Sequence, residues 1–507
     1  MAKNISEISH EINRQIGILL DRRGDANTVI VGDHNGIVIP DLEGFRSSAS
    51  RLKGLRLIHT HLHHEPLTRD DLTDLALLRL DLISAIDVES DGLPGKIYSA
   101  HLLPENSEGK FWTTLEPVHA SQLNIPFQDF VRSLEEEFVK SQKLRKVDAK
   151  NRAIIVRVEP RGHPSNDYSL EELKELADSS GVQVFDVFTQ HREKPDPKYI
   201  LGKGKISELG IRALQIDANL LIFDRELTPA QVRSVTDCTD LKVIDRTQLI
   251  LDIFAQRAHS REGKLQVELA QLHYLLPRLM TKNTAMSRLT GGIGGRGPGE
   301  TKLEINRRRV RDRISRLEKD LIQIRKARGQ RRVKRERFGL PVISIVGYTN
   351  AGKSTLLNSL TQSTVLTENR LFATLDPKSS RLRFPQDTEA IITDTVGFIR
   401  DLPQELMNAF RSTLEELNEA DVLLHVIDIS NPDFENHILA VEKILSELGL
   451  DNKAAVRIFN KADLVADKKM LAALSGRYNA IAVSALDRKT LHPLLGQLEG
   501  IIERGSH

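Results

Sequence analysis

The spacing of apolar positions changes several times along the chain, and each change predicts a different kind of element. In the first 118 residues the apolar pieces are short. Ile16–Leu20, Val29–Val31 and Gly36–Pro40 predict strands, and Asp70–Leu82 predicts a helix. A connector with a charged helical piece at Phe130–Lys146 follows. From Arg152 the pattern alternates. Arg152–Val158, Val182–Thr189, Leu220–Phe223 and Leu241–Asp245 read as strands, with helices Leu170–Ser180, Ile206–Ile216 and Pro229–Asp237 between them. Ser169 followed by Glu172 reads as a capping box, and Thr228 caps the third helix. Such alternation predicts a small parallel α/β sheet.

A heptad pattern comes next. Leu265, Leu269, Leu272, Leu276 and Leu279 recur at alternating spacings of four and three, as do Val310, Ile314, Leu317, Leu321 and Ile324. Each run is a coiled-coil seam. Between them Gly291–Gly299 carries too many glycines for a helix, so an antiparallel helical hairpin with a tip bearing Arg296 is expected. From Pro341, strands Val342–Val346, Ile391–Thr393, Val422–Ile429, Val456–Phe459 and Ile481–Val483 alternate with helices, which predicts a doubly wound sheet.

The expected fold class is therefore α/β and multidomain. An α+β extension (1–118) and a connector (119–150) precede a small α/β unit (151–256). A basic helical hairpin (257–338), a doubly wound domain (339–502) and a tail (503–507) with no assigned role follow. The total of 507 residues suits two to four such units.

Composition narrows the classes. With 40% hydrophobic and 28% charged residues the chain has the balance of a soluble globular protein. Its apolar runs are too short to span a bilayer, and its first residues lack the apolar core of a signal peptide. A single cysteine, Cys238, excludes an internal disulfide framework, suits a reducing cytoplasm and is expected to be a small buried hydrophobe. The net charge of +2 hides a local excess: Arg307–Arg337 is dense in Arg and Lys. That arm suits RNA phosphates, or else is a solvated coiled-coil face.

The chemistry concentrates after Pro341. Gly347, Tyr348, Thr349, Asn350, Ala351, Gly352, Lys353, Ser354 and Thr355 form a phosphate-loop pattern between a strand and a helix. Glycines let backbone N–H groups curl around phosphates, Lys353 reaches the β- and γ-phosphates, and Ser354 ligates Mg²⁺. Asp394, in Asp394-Thr-Val-Gly397, is the acid expected to hold Mg²⁺ through water, and the Gly397 N–H is expected to sense the γ-phosphate. Thr374 is the candidate switch threonine on Mg²⁺. Asn460, Lys461 and Asp463 close another strand, and the Asp463 carboxylate matches the two donors of guanine that adenine lacks. Ser484, Ala485 and Leu486 follow the last strand and bring a backbone N–H to guanine O6. The set predicts GTP hydrolysis in which Lys353, Thr374 and Gly397 act on the phosphates. Phe398 stands where Ras-like enzymes carry a water-orienting glutamine, so turnover is expected to be slow without help. Asn350 suggests potassium beside the phosphates.

The runs GYTNAGKST, LFATLDP and DTVGFIRDLPQELMNAFRSTLEE resemble the HflX family of translational GTPases. So do YILGKGK (199–205), FDRELTPAQ (223–231), VIDRTQLILDIFAQRAHSREGKLQVELAQL (243–272) and GGIGGRGPGETKLE (291–304). The resemblance covers roughly 150–502. It implies a GTPase that docks on the large ribosomal subunit and its RNA, and that splits stalled or idle ribosomes under stress; nothing in the sequence demands more than a monomer. Some members are credited with ATP use in the N-terminal unit, for which Gly202-Lys203-Gly204-Lys205 is the candidate phosphate site, set against a simple turn. The extra C-terminal domain of some members is not expected here. A GTP-regulated RNA-binding or ribosome-assembly chaperone without splitting activity is the alternative function, and behind it a metallohydrolase acting through the N-terminal extension.

The first 118 residues carry their own signal. Ile58-His59-Thr-His61, then Thr68 and Asp71, loosely resembles the JAMM/MPN metalloprotease pattern. The resemblance implies Zn²⁺ on His59, His61 and Asp71, although the spacing after His61 is short. Gln15 stands where the general acid/base carboxylate is expected, which argues for a JAMM-like fold without proteolysis. The other reading is a His-rich surface turn with His63 and His64 exposed. Trp112 is assigned to ordinary packing.

Overall fold

The computed structural model describes residues 1–40, 52–104, 106, 109–123, 125–143, 151–159, 167–239, 241–279, 302–336, 340–361, 371–372, 378–384, 388–400, 402–403, 406–408 and 415–505. Two compact units result. The first comprises 1–162, 183–222 and 234–243, and the second 163–182, 223–233 and 244–507.

The first unit opens with helix α1 (Ala2–Ile12), strands β1 (Ile16–Asp21), β2 (Ala26–Val31) and β3 (Leu55–His61), and helix α2 (Arg69–Leu77). Strands β4 (Leu82–Val88), β5 (Pro94–Leu102), β6 (Trp112–Thr114) and β7 (Val118–His119), then helix α3 (Phe127–Lys143), complete the N-terminal layer. The sheet order is β2-β1-β3-β4-β5-β6, with β7 on β5. β3 and β4 run parallel, and β1 is antiparallel to β3. Because side chains alternate across a strand, Leu55 and Leu57 of β3 share one face, where they pack with Leu75 of α2 and Val131, Leu134 and Phe138 of α3. Ile58 points to the other face and joins Ile5, Ile18 and Ile86. The helix expected in the connector is thus part of this core.

Three expectations fail here. Gly36–Pro40 is not a strand. The helix drawn to Leu82 ends at Leu77, because Arg79 adopts a left-handed φ of 51° and Leu80 N–H turns back to Leu75 O; Leu82 instead begins β4. Cys238 is exposed rather than buried.

Strands β8 (Arg152–Glu159), β9 (Gln183–His191), β10 (Leu220–Phe223) and β11 (Lys242–Asp245) form a four-stranded sheet of order β11-β10-β8-β9, with β8 and β9 parallel. Helices α4 (Asp167–Ser179), α5 (Lys203–Gln215) and α6 (Pro229–Thr239) alternate with these strands. Thr228 and Gln231 exchange capping bonds at the start of α6. Ser169 lies inside α4 rather than capping it, since that helix already includes Asp167. Gly202 is the N-cap of α5 and Lys203–Lys205 form its first turn, so this run opens the helix rather than breaking the chain before Ile206.

In the second unit α7 (Arg246–Arg257) and α8 (Arg261–Leu279) lead to the 35-residue α9 (Lys302–Glu336). Leu269 packs with Ile314, Leu317 and Leu321, and Leu265, Leu272, Leu276 and Val310 flank them, so the two heptad seams meet. Arg296 lies outside the described residues. The last sheet combines β12 (Val342–Gly347), β13 (Lys378–Arg383), β14 (Glu389–Asp394), β15 (Val422–Asp428), β16 (Ala454–Asn460) and β17 (Ala480–Ala482) in the order β13-β14-β12-β15-β16-β17. All neighbours are parallel except the edge strand β13. Helices α10 (Lys353–Thr361), α11 (Phe434–Glu447), α12 (Lys468–Tyr478) and α13 (His492–Gly505) accompany it. The strand order reverses beside β12, and open α/β sheets bind ligands at such a switch point. Among the described residues no helix is long and apolar enough to cross a membrane.

Candidate guanine-nucleotide site

β12 is buried from Ile343 onward and delivers the chain to Gly347 at the switch point. A Cβ on Gly347 would lie 2.2 Å from Val426 O, so no other residue fits between β12 and β15 there. The loop then turns through Asn350 (φ 61°) and Gly352 (φ 88°) into α10, whose first residue is Lys353. Lys353 is buried, and its Nζ donates to Tyr348 O at 2.7 Å across the loop. Burial lowers its pKa to about 8, against the opposing effect of Asp394. Ser354 Oγ donates to Asp394 Oδ2 at 2.6 Å, which joins the start of α10 to the end of β14. Thr349 Oγ1 is buried with no hydrogen-bond partner among the described residues.

The segment after β14 is laced to the loop. Thr349 N–H donates to Phe398 O at 2.7 Å, and Phe398 N–H to Gly347 O at 3.1 Å. A Cβ on Gly397 would come within 2.9 Å of Thr349 and 3.0 Å of Lys353 Nζ, so this glycine lies directly against Lys353. The Phe398 ring is 1% exposed, and so is part of the core rather than a group that can hold water. Thr374 lies outside the described residues.

Asn460 bridges two loops. Its Nδ2 donates to Ala351 O at 2.8 Å, and its Oδ1 accepts the Ala485 N–H at 2.9 Å. One side chain thus clamps the phosphate loop to the loop after β17. Gly352 has no side chain because a Cβ there would sit 2.3 Å from Asn460 Nδ2. Lys461, in a left-handed conformation, pairs with Asp428 at 2.7 Å. Asp463 is exposed, Ser484 N–H donates to Thr490 Oγ1 at 2.9 Å, and Leu486 is 83% exposed. Thr355 continues α10 beside Leu356 and Leu357 of the core.

The family profile described as "GTP-binding GTPase N-terminal" matches residues 167–255 and "GTP-binding GTPase Middle Region" matches 257–335. The profile "50S ribosome-binding GTPase" matches 342–461. GTPase HflX of Caldanaerobacter subterraneus subsp. tengcongensis is 47% identical over 350 residues, 69% of this chain and 80% of that protein. The chain belongs to the HflX family of GTPases. GTPase HflX of Escherichia coli K12 is 44% identical over 323 residues, 63% of this chain and 75% of its own length. Among solved structures, a GTP-binding protein of Sulfolobus solfataricus in complex with GDP is similar over 70% of this chain and 99% of that one. Its identity is 25% and the TM-score 0.39. As an HflX GTPase the chain binds guanine nucleotide and hydrolyses GTP.

A second set of residues around Tyr348 was not foreseen. The Tyr348 hydroxyl donates to Glu172 and accepts the Arg400 N–H at 2.8 Å. Its ring stacks on His437 with centroids 3.8 Å apart and planes at 7°. Glu172 also pairs with the buried Arg246, whose guanidinium reaches Arg400 O. Burial and the adjacent Glu172 carboxylate push the Tyr348 hydroxyl well above its ordinary value. The sequence signals Glu172 only as a helix-start acid; nothing local pairs it with a tyrosine 176 positions later.

Proposed function

We propose that this GTPase docks on the large ribosomal subunit and uses GTP to separate stalled or idle ribosomes under stress. The observation that carries the reading is the match of residues 342–461 to the profile "50S ribosome-binding GTPase". The long α9 supports it. Arg308, Arg309, Arg311 and Arg316 are exposed along that helix, and neutralising RNA phosphates supplies affinity that does not depend on sequence.

Within the site, the Ser354 hydroxyl would ligate Mg²⁺, and the buried Asp394 carboxylate that accepts its hydrogen bond would hold the ion through water. The ion, when bound, offsets charge developing on the β- and γ-phosphates. Lys353 holds the same phosphates from α10, and Gly397 lets the β14 segment close upon them. Thr374 would also hold the Mg²⁺, and Asn350 would face a potassium ion beside the phosphates. Asp463 reads guanine, with the loop Ser484–Leu486 against the base. Because Phe398 is buried where a water-orienting side chain would stand, the ribosome supplies what the isolated site lacks. The protein acts as a cytoplasmic monomer.

The test is GTP turnover with and without purified large subunits, with Lys353→Ala as control, and sedimentation of intact ribosomes after incubation with the protein and GTP. Strong stimulation and release of separated subunits are expected. Turnover that ignores large subunits would overturn the docking; stimulation without subunit release would leave a binding factor that does not split.

A further inference from the structure

In the N-terminal sheet the core face of β3 changes character at its end. Leu55 and Leu57 point into the apolar core, and the next residues of the same parity are His59 and His61. Both are buried, at 0% and 2% exposure. Two imidazoles at the end of an apolar stripe cost desolvation unless something occupies their lone pairs.

Asp71 meets them from the first turn of α2. His59 Nε2 lies 3.2 Å from Asp71 Oδ1, His61 Nε2 lies 3.4 Å from Asp71 Oδ2, and the two Nε2 atoms are 2.9 Å apart. Zinc–nitrogen bonds of about 2.0–2.1 Å place neighbouring ligand atoms about 3.3 Å apart on a tetrahedron. The carboxylate spans the two imidazoles, one oxygen toward each, and one ligand atom from each of the three residues lies within 4.8 Å of the others.

The surroundings orient two of the three groups, while His59 Nδ1 is buried with no hydrogen-bond partner among the described residues. His61 Nδ1 faces Glu65 O at 3.0 Å, which fixes the proton on Nδ1 and leaves a lone pair on Nε2. Thr68 donates to Asp71 Oδ2 from both its backbone N–H and its Oγ1, at 2.7 Å each, in a capping box that orients the carboxylate. β1 adds the last element. The antiparallel pairing of Gly17 with His59 continues to put Gln15 opposite His61. Gln15 is 1% exposed, and its Nε2 has no hydrogen-bond partner among the described residues.

We propose that His59 Nε2, His61 Nε2 and the Asp71 carboxylate bind one divalent transition-metal ion, zinc first among them. The Gln15 amide stands beside the remaining coordination position. An amide cannot accept a proton as a carboxylate does, so a water held there is not activated by this neighbour. The site is thus a binding site for metal, and for a small oxygen-donor ligand in the fourth position, rather than a hydrolytic one.

The experiment uses the full chain. Elemental analysis of protein purified without chelators should give one zinc, or one competing transition-metal ion, per chain. After stripping, Co²⁺ should restore the visible absorption of a tetrahedral site, and added Zn²⁺ should bleach it and raise the unfolding temperature of the first unit. His59→Ala and the milder Asp71→Asn should each reduce the metal to background while GTP turnover stays at the wild-type rate. Gln15→Glu should keep the metal and shift the cobalt spectrum. A wild-type chain that carries no metal and gives no cobalt spectrum overturns the proposal, as does full stoichiometry in both His59→Ala and Asp71→Asn.

Discussion

The nucleotide site and the histidine cluster use one structural device for opposite charges. In each, a buried strand ends and a helix begins within a few residues: β12 into α10, and β3 into α2. The first junction is shaped for an anion. Gly347 and Gly352 remove side chains where backbone must approach, and Lys353 sits at the helix start. The second is shaped for a cation. Lone pairs come from His59 and His61, and Thr68 and Asp71 already cap the helix with their own side chains. The junction alone therefore does not decide a ligand. The side chains that replace or expose its backbone donors do.

The sharpest way to break this contrast is Lys353→Ala. If the cationic helix start makes the first junction a phosphate site, turnover should fall by at least about a hundredfold, as for other preorganised charge-stabilising groups. A variant with near wild-type turnover would mean that the loop's backbone suffices. Next in size, Asp463→Asn should shift preference from GTP toward xanthosine triphosphate by roughly a hundredfold, because the carboxylate is matched to guanine's two donors. Competition binding with the two nucleotides reads the change, and unaltered GTP affinity would remove Asp463 from base recognition.

Glu172→Ala probes how far the anion site depends on residues outside the loop. It strips a carboxylate from Arg246, which is 6% exposed, leaving Asp224 at 3.8 Å as the nearest acid. Breaking a buried pair by removing one partner costs about 3 kcal/mol or more, measurable by denaturant unfolding. A change within error would show that Arg246 is hydrated through Asp224. The last expected effect concerns acid. His425, buried in β15, has its pKa lowered to about 3 by burial and by Arg457 and Lys353. Its folded value lies below its unfolded one, so its contribution is intact above the ordinary histidine range and is lost as pH falls from about 6.5 toward 3. His425→Gln should flatten the acid limb of stability between those values, and an unchanged limb would place the acid sensitivity elsewhere.

What was legible in the chain depended on distance. The phosphate loop, Asp394-Thr-Val-Gly397 and Asn460–Asp463 are local motifs whose spacing is the chemistry, and the structure brings their described residues to one end of the sheet. His59, His61 and Asp71 are also local, and they converge. Long-range partnerships were invisible. Glu172 and Arg246 lie 74 positions apart, and neither advertises the other. Polar cores also misled. Helix α1 was missed because Ser6 and Ser9 take core positions in it, with Ser9 Oγ bonded to Thr60 Oγ1 at 2.7 Å. Edge strand β13, Lys-Ser-Ser-Arg-Leu-Arg, lacks the apolar run expected of a strand, yet pairs residue for residue with β14.

The tyrosine of the phosphate loop carries a consequence for anyone who would cut this protein down. A fragment starting at Pro341 would contain every nucleotide motif, yet would leave the Tyr348 hydroxyl without Glu172 and the Arg400 carbonyl without Arg246. Such a truncation would carry its catalytic letters intact and still be a different enzyme, because part of the scaffold beneath its active loop is translated some 170 codons earlier, as the 176-residue separation of that pair requires.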